Sequence, residues 1–252
     1  MTTIATLTSF PRRMYFVPRV LRSIYGQTRR PDAVVLHLST EEYPGREADL
    51  PAEVMRFVER EGLLLRWHEG NTRQWKKLIP TMQEWPEAEI VSLDDDIIYP
   101  SRFVETLTDE FRRNGRTRPV TCGHSVWSGY GRIKSHYGCF TITMAKFHAP
   151  EAFGLWERDI KPIVIAGQMK TFDDQLYTHT ALLHGVLYEG SSMNLNPLRG
   201  VHRLPEPVSH NANWRMDWNR WNDYLHDLIL DRYGVDTQER ARELMIKANQ
   251  TQ

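Results

Sequence analysis

In the stretch Glu89-Ile90-Val91-Ser92-Leu93-Asp94-Asp95-Asp96-Ile97-Ile98-Tyr99-Pro100, a short apolar run ends abruptly in three consecutive carboxylates. A run of this length, rich in β-branched residues, has the pattern of a buried strand, so the acids stand at its carboxyl end. Similar runs at 4–8, 33–38 and 63–67 predict three more strands. Between them lie segments of helical spacing: Val17, Val20, Leu21 and Ile24, then Leu50, Val54, Phe57 and Val58, then Leu78, Ile79 and Met82. Strands alternating with helices imply βαβ units, hence an α/β chain with a mainly parallel, Rossmann-like central sheet flanked by helices. Ligands of such sheets sit beyond the carboxyl ends of strands, near a switch in strand order. Two segments occupy such ends, the loop around Thr8-Ser9-Phe10-Pro11-Arg12-Arg13 and the triple Asp.

Past Pro100, Phe103, Leu107 and Phe111 mark one face of a helix over 101–114. Residues 120–167 look irregular, with β-type pieces near 120–122 and 140–143. A helix over 171–185 opens on Phe172-Asp173-Asp174-Gln175, and a long proline-bearing loop follows over 190–213. Trp218, Trp221, Leu225 and Leu228 form another helical stripe, and Asp236 with Glu239 makes a capping-box start to a last helix. No internal repeat, low-complexity tract or linker divides the chain, so one domain over 1–252 is expected.

Composition narrows the function classes. The 252 residues carry 32 basic and 32 acidic side chains, and that neutral balance argues against a nucleic-acid partner. No apolar run approaches the ~20 residues of a membrane span, and the start lacks a signal peptide's basic and apolar regions. Two cysteines, Cys122 and Cys139, make neither a disulfide framework nor a CxxC metal site. A cytoplasmic setting is the expectation. The eight tryptophans stand out against an otherwise ordinary composition.

Three adjacent acids repel one another and require an opposing charge. A divalent cation bound through carboxylate oxygen, often shared with substrate phosphates, supplies it; a solvated acidic turn capping the next helix is the other reading. Asp173 and Asp174 can likewise be a general base beside a hydrogen-bonded neighbour, or a plain helix cap. Arg12, Arg13, Arg73, Lys76 and Lys77 flank predicted strand ends and are candidates for a diphosphate, with Arg12 and Lys77 expected to face the acids. Among the histidines, His202 and His210 sit in the late loop, and His210 is the candidate metal ligand. Trp218 and Trp221 read as core, while Trp127 is a candidate platform for a sugar face. No GxxxxGK[ST] loop, GxGxxG fingerprint or HExxH motif occurs. Gly123-His124-Ser125-Val126-Trp127 lacks the last glycine of a nucleophile elbow.

Taken together, residues 6–13, 21–28, 76–80 and 94–100, with Asp173-Asp174, resemble bacterial glycosyltransferases of the glycosyltransferase A fold. The likeness is good over about residues 3–105. It implies a single glycosyltransferase A-type domain: a nucleotide-sugar-binding half (1–115), an acceptor-binding half (116–212) and C-terminal helices (213–252). It also implies a nucleotide-sugar donor, expected to be a UDP-sugar, and Mn²⁺ or Mg²⁺ held by an Asp-x-Asp motif. On this chain Asp94 and Asp95 correspond to nucleotide contacts and Asp96 to the metal ligand, with His210 completing the metal site. Thr8, Ser9 and Arg12 would line the nucleoside, and Lys77 would lie near the diphosphate. Asp174, or else Asp173, would be the base on a saccharide or glycolipid acceptor resting on Trp127, with inversion at the anomeric carbon. The setting implied is surface polysaccharide synthesis, with peripheral membrane association open. Residues 144–169 lack the Gly-rich and Tyr-Pro-Pro segments usual in the family. A non-catalytic sugar or sugar-nucleotide binding module and a nucleotidyltransferase are the competing readings.

Overall fold

The computed structural model describes residues 1–122, 141–168, 173–193 and 214–250, apart from the side chains of 174, 214–219, 248 and 249. Strand β1 (Thr3–Thr8) leads into helix α1 (Val17–Tyr25), β2 (Ala33–Ser39), α2 (Ala52–Glu61), β3 (Leu64–His68), α3 (Trp75–Glu84) and β4 (Glu89–Ser92). β1 pairs in parallel with β2 on one side and β4 on the other, and β3 extends the sheet beyond β2. The chain therefore winds outward from β1 to β3, then crosses back to lay β4 on the opposite side of β1. That reversal is the switch point of the sheet.

After α4 (Phe103–Arg113), the sheet continues through β5 (Val120–Thr121) and β6 (Thr141–Thr143), with β6 antiparallel to both β4 and β5. Among the described residues the full order is β3-β2-β1-β4-β6-β5-β7, where β7 (Glu189–Gly190) pairs in parallel with β5. This is the expected α/β class, with a mainly parallel sheet flanked by helices.

Alternation along each strand divides the core in two. Ala5, Leu7, Leu36, Leu38 and Val91 pack with α1 and α4, while Ile4, Val35 and Ile90 pack with Trp75, Leu78, Ile79 and Met82 of α3. α7 (Asp173–Leu183) and α8 (Trp214–Tyr233) add Leu176, Tyr177, Trp221 and Leu225 to the second face. Trp221 is thus core as expected, and the Trp218 side chain lies outside the described residues.

Residues 151–165 depart from the irregular pattern expected over 120–167. They form α5 (Glu151–Leu155) and α6 (Lys161–Ile165), joined by a wider helical turn at Trp156–Ile160. Leu155, Trp156, Ile160 and Val164 are the buried stripe, and Pro150, Gly154 and Pro162 obscure its period in the sequence. α9 (Thr237–Gln250) begins as its capping box predicts, with Asp236 Oδ1 accepting from the backbone N–H groups of Gln238 and Glu239, both at 2.9 Å.

Two fully buried histidines join these pieces. His148 bonds Thr143 (2.9 Å) and Thr180 (3.1 Å), and His179 bonds Thr237 (2.8 Å) and Asn222 (3.1 Å). Burial lowers the His148 pKa to about 3 and that of His179 to about 4. An unfolded histidine titrates near ~6.5, so below that pH the unfolded chain binds more protons than the folded one. Stability therefore falls as pH drops from ~6.5 toward the folded-state values. Urea unfolding should show a lower midpoint at pH 5 than at pH 7, and His179→Gln should remove part of that slope. A midpoint independent of pH over this interval would contradict the neutral, buried assignment.

Candidate active site

Parallel pairing of β1 and β4 brings their carboxyl ends side by side. The Leu93 N–H donates to the Thr6 carbonyl at 2.9 Å, carrying the pairing one residue past β4. The chain then turns, and Tyr99 clamps that turn. Its hydroxyl accepts from the Asp94 N–H (2.7 Å) and donates to the Asp94 carbonyl (3.2 Å). Ile97 and Tyr99 are buried beneath, so the three carboxylates are held against the sheet end.

Residues 9–16 curl in successive turns, with the Phe10 carbonyl accepting from the N–H groups of Arg13 (2.9 Å) and Met14 (3.1 Å). The curl sends Arg12 out to solvent and Arg13 inward. Ser9 Oγ donates to Asp95 Oδ2 at 2.5 Å, and Arg13 bridges Asp95 (2.7 Å) and Asp96 (3.3 Å). The inward cation is therefore Arg13, which corrects the expectation that Arg12 faces the acids. Neither residue type nor composition separates the two; the turn direction does. Lys77, in the first turn of α3, pairs with Asp94 at 3.0 Å as anticipated.

Asp95 and Asp96 are only 4% and 2% exposed. Burial raises the Asp95 pKa, against the pull of Arg13 and Ser9, and the neighbouring Asp96 charge adds to the rise. Burial also works against charge on Arg13, but Asp95 and Asp96 outweigh it and hold the guanidinium charged.

The other sequence candidates take different places. Thr8 donates its hydroxyl to the His37 carbonyl (2.7 Å), which ties β1 to β2. Lys76 is buried and turned toward Glu42 (3.3 Å) and Asn71 (3.4 Å), and burial lowers its pKa although Glu42 opposes the shift. Arg73 adopts a left-handed φ of 53° beside Asn71, whose side-chain oxygen accepts its N–H at 3.0 Å. Asp173 is buried at the start of α7, on the sheet face shared with α3. Asp174 lies in the same helix, and its side chain is outside the described residues. Trp127, His202 and His210 also lie outside them. The Tyr99 clamp reaches back only five residues to Asp94 but is marked by no residue pattern, and the His37–His68 pair behind α3 joins β2 to β3 with no local signal.

Among the described residues, no three His, Cys, Asp or Glu side chains converge as a ready-made metal centre. The donors at the switch point are nevertheless all carboxylate oxygens. That set suits a hard divalent ion taking one or two carboxylates and completing its shell with substrate phosphates. Asp94 is the most open of the three, with a quarter of its side chain (25%) exposed.

No protein-family model matches the chain, and no curated protein does either. Solved structures of similar fold do exist. The mannosyltransferase PcManGT from Pyrobaculum calidifontis, in complex with GDP-Man and Mn²⁺, is 14% identical with a TM-score of 0.51, covering 100% of this chain and 75% of that one. S. aureus TarS, in complex with UDP-GlcNAc, is 15% identical with a TM-score of 0.49, covering 97% and 70%. A 4-diphosphocytidyl-2C-methyl-D-erythritol synthase from Anaerococcus prevotii is 11% identical with a TM-score of 0.41, covering 89% and 98%. At such identities the likeness establishes the fold alone, and the fold is of the glycosyltransferase A type.

The inward and outward arginines should behave differently. Arg13→Gln leaves the buried Asp95 without its ion pair and should cost roughly 3–5 kcal/mol of stability. Arg12→Gln, an exposed change, should stay within about 0.5 kcal/mol. Chemical denaturation of both variants checks this, and equal effects would contradict the arrangement.

Proposed function

We propose that this chain is a metal-dependent glycosyltransferase that moves a hexosyl-type sugar from a nucleotide-diphosphate donor, a UDP-sugar, to a hydroxyl of a saccharide or glycolipid acceptor. The observation that carries the reading is the switch point, where Asp94–Asp96 of the β4 end meet Ser9 and Arg13 of the β1 end and Lys77 of α3. Open α/β sheets bind ligands at that location, and a site of acids and cations together suits a metal–diphosphate ligand. The mannosyltransferase of similar fold was solved with GDP-Man and Mn²⁺, a ligand pair of the kind proposed.

In this reading Asp96, with Asp94, holds Mn²⁺ or Mg²⁺, and His210 of the late loop completes the site. The bound ion supplies Lewis-acid stabilisation of charge on the leaving diphosphate. Lys77 adds a fixed positive charge beside the same oxygens. Arg13 keeps Asp95 and Asp96 in place, while Thr8, Ser9 and Arg12 border the nucleoside. Asp174, or Asp173 if the helix start is turned otherwise, takes the proton of the acceptor hydroxyl. One base opposite the leaving group gives inversion. Trp127 offers a flat apolar face to the acceptor. Surface polysaccharide synthesis in the cytoplasm of a bacterium is the setting that fits the resemblance. Among the described residues no helix is long and apolar enough to cross a membrane.

Incubation with a panel of nucleotide sugars, Mn²⁺ and candidate acceptors should release nucleoside diphosphate. Pyrophosphate release would instead mark a nucleotidyltransferase, and saccharide binding without turnover a binding module. Asp96→Ala should abolish metal-dependent nucleotide binding and transfer. Asp174→Asn should keep donor binding and slow transfer by ~10²–10⁴-fold, the usual weight of a general base. Activity retained in Asp174→Asn but lost in Asp173→Asn would move the base to Asp173.

A further inference from the structure

The first turn of α3, which carries Lys77, is tied to the sheet by side chains as well as by its own backbone. It is entered by turn bonds of 3.1 Å (Trp75 N–H to Thr72), 3.4 Å (Lys76 N–H to Arg73) and 3.3 Å (Lys77 N–H to Gln74). Pro80 lies inside the helix and has no N–H to return to the Lys76 carbonyl four residues earlier. The next carbonyl along, that of Lys77, is held by side-chain hydroxyls, one from α3 itself and one from the sheet. Thr81 Oγ1 of α3 donates to the Lys77 carbonyl (2.6 Å), and Thr6 Oγ1 of β1 lies 3.2 Å from that carbonyl and 2.9 Å from Thr81 Oγ1.

Behind Thr81 stands a pair of stacked histidines. His37 of β2 is fully buried, on the α3 side of the sheet, and its Nε2 lies 2.9 Å from Thr81 Oγ1. Its Nδ1 lies 2.8 Å from Nε2 of the half-buried His68 on β3. Proton counting gives this chain a direction. A hydroxyl has one proton, and the short bond assigns that of Thr81 to the Lys77 carbonyl. His37 Nε2 must then carry a proton and donate to Thr81 Oγ1. Burial keeps both rings neutral, taking His37 well below its ordinary pKa and His68 to about 4. The bare Nδ1 of His37 therefore accepts from a protonated Nε2 of His68.

We infer that the relay His68–His37–Thr81 is a positioning device that pins the first turn of α3 to the sheet and so sets the Lys77 ammonium against Asp94. It rests on the proposed function only in its consequence, that donor diphosphate binding depends on the relay. None of the three side chains touches the donor; they act through Lys77. A broken relay should weaken donor binding about five- to tenfold, the equivalent of ~1–1.4 kcal/mol, the usual weight of a buried hydrogen bond.

The test uses the full chain and two pairs of variants. Thr81→Val keeps the shape and removes the hydroxyl, whereas Thr81→Ser keeps it. His37→Leu removes the donor, whereas His37→Gln can place an amide N–H near the position of Nε2. Nitrogen NMR should show both wild-type rings neutral and protonated on Nε2, and the Lys77 Nζ signal, assigned with Lys77→Arg, should shift in Thr81→Val and His37→Leu. UDP titrated with Mn²⁺ should bind five- to tenfold more weakly to those two, with most of the loss restored in Thr81→Ser and His37→Gln. A His37 ring protonated on Nδ1, or Lys77 signals alike in Thr81→Val and Thr81→Ser, would overturn the relay. If wild-type protein binds no nucleoside diphosphate, the proposed function fails. The tautomer and Lys77 signals still decide the relay, and the tautomer measurement needs no variant to fold.

Discussion

Three consecutive carboxylates at the end of a buried strand form the constraint around which the site is built. Two of them, Asp95 and Asp96, are almost wholly out of water, where an unpaired charge is costly. Arg13 and Ser9 from the β1 end offset that cost, and Lys77 from α3 meets the more open Asp94. None of these partners is near the acids in sequence. They converge because β1 and β4 run in parallel and adjacent, and because α3 is the crossover that returns the chain to β4. A buried ion pair is weak evidence for stability on its own. Its placement at the reversal of strand order, with an open carboxylate beside it, points to a site.

The surrounding architecture serves that geometry at several distances. Tyr99 fixes the backbone at Asp94 directly. One shell further out, Thr6, Thr81 and His37 brace the helix turn that carries Lys77, where Pro80 has removed a helical bond. At the other end of β4, Glu89 is buried between Arg112 (2.6 Å) and Arg116 (2.7 Å). That clamp joins α4 and the chain beyond it to the strand that delivers the acids.

Much of the fold was legible in the sequence because its first half is periodic. The strands at 4–8, 33–38 and 63–67 and the helices between them follow from apolar spacing alone, and β4 was marked by the acids that end it. Residues 151–165 were not legible, since two prolines and a glycine interrupt a stripe that tertiary packing nonetheless buries. In the site, residue types pointed to the acids and to Lys77. They could not separate Arg12 from Arg13, because that choice depends on which way a turn curls. The His37–Thr81 connection joins β2 to α3 and has no local signature at all.

In the proposed function a metal–nucleoside diphosphate pair binds at the β1–β4 switch point. The most direct measurement is paramagnetic broadening of backbone amide signals by Mn²⁺, with and without UDP. UDP should localise the broadening to residues 8–9, 77 and 94–97, with little effect at the β3 edge or in α9. Broadening centred elsewhere on the chain, or unchanged by UDP, would contradict it.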